Sequence, residues 1–173
     1  MHFELKPISE KGIPEALAKV ERYRLLNEPG LAESICLDIL AIVPDHQQAL
    51  ISLLLAHTDQ FDAQVHVRGA REVLGKLNGD YERAYYEGII WERLGYAQIS
   101  HGGNASAYHA LRAAMEHYEQ AIKLAVPGND DAILRWNTCA RLIMRDAHIR
   151  PTPEKEPAEA WEHDEAGSRI ADA

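Results

Sequence analysis

Apolar residues recur along this chain at intervals of three and four, and Pro, Gly and Asn break the pattern into helix-length runs. Leu17, Val20, Tyr23 and Leu25 mark a first helix over about 13–26, with Pro14 in its first turn, where a missing N–H is no loss. Asn27, Glu28, Pro29 and Gly30 form a tight turn. Ile35, Cys36, Ile39, Leu40 and Val43 then predict a second helix over 31–43, stopped by Pro44 and Asp45. The third, over 46–58, carries Leu50, Ile51, Leu53, Leu54 and Leu55 around most of its circumference. A helix apolar on all sides needs neighbours on several of them.

A fourth helix over 63–77 ends at Asn78 and Gly79. The fifth starts with Asp80 as a plausible cap and meets no breaker before His101, Gly102, Gly103 and Asn104, so it is long. The sixth, 105–126, bears Leu111, Met115, Tyr118, Ile122 and Leu124. After Pro127 and Gly128, the residues Asn129, Asp130 and Asp131 offer a cap and negative charge to a seventh helix. That helix is expected to reach about Ile149, with Ile133, Trp136, Ala140 and Ile143 on one face. From Arg150 onward Pro151, Pro153 and Pro157 precede an acidic segment with seven acidic and three basic residues, in which Trp161 is the large apolar residue. Such a composition predicts disorder. The chain thus divides into a lead-in over 1–12, an all-α domain of seven helices over 13–149, and a tail over 150–173.

Tyr23, His57 and Trp91 stand 34 residues apart, which marks a helical repeat. Around Tyr23, Ala32, Cys36 and Pro44 follow at spacings that resemble those of the tetratricopeptide repeat family, with Cys36 where an aromatic residue is usual. His57, His66, Ala70 and Asn78 fill the corresponding places of a second unit. Gly88 and Trp91, then Ala114, Tyr118 and Val126, fill those of a third. The resemblance implies a right-handed superhelical array of about three and a half hairpins, with the seventh helix covering the open end. Trp91 and Ala114, however, are 23 positions apart where Tyr23 and Ala32 of the first unit are nine apart, so 14 residues have been added. Shared between two helices, they lengthen each by two turns, roughly 10 Å at 1.5 Å per residue. The third hairpin is therefore expected to be elongated and to protrude.

The formal charge of −9, from 27 acidic and 18 basic residues, argues against nucleic acid and is compatible with a basic partner. No apolar run approaches the length needed to span a bilayer, and the first residues lack the pattern of a secretory leader. A cytoplasmic protein is the expectation. Cys36 and Cys139 fall within helical patterns and read as buried free thiols.

The chain has no phosphate-binding glycine motif and no nucleophile elbow. No two of its nine histidines are three or four residues apart, and none follows a Glu at three. No catalytic residue, metal or cofactor is expected. Some members of the family clamp acidic peptide termini with Lys, Asn and Arg, but the inner helices here offer Ala18, Glu21 and Ser52 instead. The expectation is a non-enzymatic scaffold that binds a protein or peptide in the groove of the array, through Tyr85, Tyr86, Ile89, Arg93, Asn137 and Arg141. Two alternatives stand beside it: self-assembly into a homo-oligomer through the long hairpin or the tail, and a helical domain that binds a small ligand or metal.

Overall fold

The computed structural model describes residues 3–61 and 64–150, those at 64 and 65 by their backbone alone. The predicted tail and Trp161 lie outside the described residues. Seven α-helices and no strand are found among them: α1 (Ile13–Leu25), α2 (Pro29–Ile42), α3 (Gln47–Thr58), α4 (Gln64–Leu74), α5 (Asp80–Ser100), α6 (Asn104–Leu124) and α7 (Asp131–Arg145). A 3-10 turn over Glu10–Gly12 leads into α1. Sequence neighbours pack on one another, and α1 also touches α3 while α3 touches α5. The α4–α5 joint is looser than the joints on either side.

The expansion of the third hairpin is plain in the helix lengths. α5 and α6 have 21 residues each, against 12 in α3 and 11 in α4. At 1.5 Å per residue, 21 residues make about 32 Å of helix. Gly102, with φ of +76°, turns the chain between them in a conformation that disfavours side chains with a Cβ.

Two large apolar clusters share α5 as a wall. Ile90 joins Val20, Cys36, Leu50, Leu54 and Leu77, while its neighbour Ile89 joins Leu111, Met115, Tyr118 and Cys139. Successive helical residues point about 100° apart, so one helix serves both cores. α3 is flanked by α1, α2, α4 and α5, as its all-round apolar surface requires. Cys36 and Cys139 are buried free thiols, and burial pushes each from an ordinary 9.0 up to about 12.

Several expectations need correction. Leu25 is 88% exposed, because five residues beyond Val20 places it about 140° round the helix. Leu124, in the last turn of α6, is also exposed. In α7 the buried residues are Ala132 and Cys139, with Trp136 and Ile143 beside them, whereas Ile133 is exposed. Seven residues return almost to the same face, and one residue moves a side chain 100° away. Asp80 does not cap α5: Gly79 stands at the cap and Asp80 is the first helical residue. At α7 it is Asn129 whose Oδ1 accepts from the Asp131 amide, at 3.2 Å. α7 ends at Arg145 rather than Ile149, where the Asp146 carboxylate accepts from the His148 amide and turns the chain. Ile149 is nevertheless buried in the second cluster.

Candidate functional site

Asp59 follows the last residue of α3, where the helix dipole disfavours an anion. Two arginines hold it there. Arg24 of α1 donates through Nε to Oδ2 at 2.9 Å, with a second guanidinium nitrogen also at 2.9 Å, and Arg93 of α5 approaches Oδ1 to 3.5 Å. Three helices are thus tied through one carboxylate, with a surplus of one positive charge. Asp59 and Arg93 line a cleft of about 340 Å³ with Asn27, Tyr96 and Ser100.

Tyr96 also lines a larger cleft of about 650 Å³, walled on the α7 side by Thr138, Arg141, Leu142, Met144 and Arg145. Met144 is 65% exposed beside two arginines. Beneath this face lies a buried polar network. Glu92, 1% exposed, accepts a hydrogen bond from the Tyr118 hydroxyl at 2.6 Å and another from Arg135 Nη1 at 3.1 Å. Burial, reinforced by the Glu92 charge, pushes Tyr118 well above the usual phenol range and Tyr96 up to about 12. At Arg135 burial opposes the charge, but Glu92 together with Tyr85 and Tyr118 outweighs it and the pKa is raised. The two hydrogen bonds on Glu92 tie α5 to α6 and to α7.

The six residues expected to bind a partner fall into two groups. Tyr85, Tyr86 and Ile89 pack in the second cluster, where Tyr85 meets Tyr86 edge-on at 5.1 Å and Tyr118 at 5.9 Å. Ile89 is 2% exposed and supports the array instead of facing a partner. Arg93 and Arg141 lie on neighbouring clefts joined by Tyr96, which no sequence motif marks. Asn137 is half-buried on α7 and lines neither.

A third cleft, about 820 Å³, opens at the loose α4–α5 joint between Phe61, Val67, Arg68 and Arg71 on one side and Leu94, Ala97 and Gln98 on the other. The added turns of α5 form its far wall. Arg71 also stacks over the Trp91 ring at 5.1 Å, a cation–π contact across the joint.

One cluster has metal-ligand character: Glu33 of α2, His57 of α3 and His66 of α4, whose ligand atoms lie within 4.8 Å of one another. Burial lowers the pKa of His57, against the pull of Glu33. Its three ligands come from three different helices, so no spacing within a single helix marks it. The two histidines are nine residues apart, the separation at which the two helices of a hairpin face each other, and that spacing was present in the sequence.

Among the described residues no helix is long and apolar enough to cross a membrane. No family model, no curated protein and no solved structure matches the chain.

Proposed function

We propose that this chain is a non-enzymatic interaction module of tetratricopeptide-like architecture, which holds an acidic peptide or helix of another protein along the α5–α7 face. The observation that carries the reading is the α5–α7 cleft, where Tyr96, Leu142 and Met144 offer apolar contact and Arg141 and Arg145 offer charge. Guanidinium groups beside an exposed apolar floor suit a segment that presents carboxylates and one hydrophobic anchor. The excess acidity of the chain pointed to a basic partner, but the charge that bounds this face is of the opposite sign.

The family part of the reading is supported by Gly88 and Tyr118, which occupy matched places in the repeat pattern. A Cβ on Gly88 would stand 2.5 Å from Tyr118 Cε1, so the glycine is what admits the ring. Right-handed superhelical stacking and a cytoplasmic adaptor role belong to the same proposal.

Fluorescence anisotropy against a library of labelled acidic peptides, each with one aromatic or aliphatic anchor, tests the site. Saturable binding that is lost in Arg141→Glu/Arg145→Glu and kept in Arg22→Glu, on α1, is the expected result. Binding indifferent to the double charge reversal would remove this face from consideration. Light scattering with and without residues 151–173 separates it from self-assembly through the tail.

A further inference from the structure

Glu33, His57 and His66 converge from three successive helices, and neither the proposed binding face nor the Glu92 network involves them. Among the described residues, both histidines bury Nδ1 with no hydrogen-bond partner. Buried imidazole nitrogens are ordinarily satisfied, so two orphans from adjacent rings, 5.9 Å apart between centroids, call for a shared partner. The surroundings are shaped to present them. A Cβ on Gly69 of α4 would stand 3.0 Å from His57 Nε2 and 3.2 Å from Cε1, so the bare glycine makes room for the ring. The His57 Nδ1 atom lies 3.8 Å from Glu33 Oε2. Gln60 Nε2 donates to that same oxygen at 2.9 Å and holds the carboxylate in place.

We infer that Glu33, His57 and His66 bind a transition-metal dication, Zn²⁺ foremost, which pins the first helical hairpin to the second. Two imidazoles and a carboxylate are a donor set that zinc accepts, with bonds of about 2.0–2.1 Å. Tetrahedral geometry at those bond lengths places ligand atoms roughly 3.3 Å apart. The three atoms, now within 4.8 Å, reach that spacing by rotation of the side chains. Glu33 keeps 26% of its side chain exposed and His57 12%, so the site opens to solvent on the carboxylate side, where water completes the coordination. Magnesium and calcium are excluded by the nitrogen donors, since both take oxygen ligands.

The test uses the full chain stripped with chelator. Titration with Co²⁺ is expected to give visible absorption bands of a low-coordinate site at one equivalent. Competition with a chromogenic chelator then gives the Zn²⁺ affinity. His66→Gln and Glu33→Gln should each weaken it by about tenfold or more, while His109→Gln, on exposed α6 surface, leaves it unchanged. Added Zn²⁺ should raise the unfolding temperature of the parent chain and not that of His66→Gln. Circular dichroism confirms that each variant is folded, and these two replacements leave His57 in place. Absence of saturable one-to-one binding, or an affinity unchanged in both Glu33→Gln and His66→Gln, overturns the inference.

Discussion

Replacing Tyr118 by Phe removes one hydroxyl and leaves the ring, so it isolates a single bond of the Glu92 network. Both partners are sealed from water, at 0% and 1% exposure, and the bond is 2.6 Å long. Hydrogen bonds to a charged group contribute about 1.5–3 kcal/mol. Water cannot easily replace this donor, and Arg135 is engaged at the other carboxylate oxygen. A loss of about 2 kcal/mol is therefore expected, or roughly 4–8 °C in unfolding midpoint for a chain of this size. Chemical denaturation followed by circular dichroism measures it. In a double-mutant cycle with Glu92→Gln, the second substitution should cost much less once the first is made, with coupling above about 1 kcal/mol. Additive effects, or a Tyr118→Phe stability within about 0.5 kcal/mol of the parent, would refute the claim that this bond fastens α6 to α5.

Gly88→Ala pits a helix-propensity gain of about 1 kcal/mol against a Cβ placed 2.5 Å from a ring that is tethered by its hydroxyl. Overpacking of this kind costs about 1–3 kcal/mol. Net destabilisation is expected, relieved in part when combined with Tyr118→Leu, and thermal unfolding decides the sign. Asp59→Asn should cost about 1–2 kcal/mol by leaving Arg24 and Arg93 facing one another without a counter-charge, and high salt should narrow the gap to the parent in denaturant titrations. Cys36 and Cys139 should resist a thiol reagent in the native state and react on unfolding. Their pKa values are raised from 9.0 to about 12, so the folded state retains protons that the unfolded state gives up. Stability should accordingly fall as pH climbs from about 9 towards 12, and unfolding curves across that range would show it.

Sequence periodicity carried the architecture because each helix obeys a local rule. The stripe Ile35, Cys36 and Ile39, the turn at Leu26–Glu28 and the uninterrupted run from Tyr81 to Ile99 are each set by residues within a few positions of one another. The count of seven helices and the lengthened third hairpin follow from such rules alone. Ends were less legible: α7 stops at Arg145 because an Asp146 side-chain turn competes with further helix. The expected binding residues rest on residue type, and type does not say which face a neighbour covers. Tyr85 and Ile89 are inward because α6 packs on them, while Arg93 reaches Asp59, 34 positions away, only because α3 and α5 touch.

What the chain alone determined is the set of helices, since a helix is specified by bonds four residues apart and by the 100° step between side chains. Tertiary structure alone decided the chemistry. The Arg24–Asp59–Arg93 tie, the buried Glu92 with Tyr118 and Arg135, and the meeting of Glu33 with His57 and His66 each join residues from different helices. Such groups acquire partners, burial and shifted pKa values only when the helices pack, because those properties depend on distance in space and not along the chain.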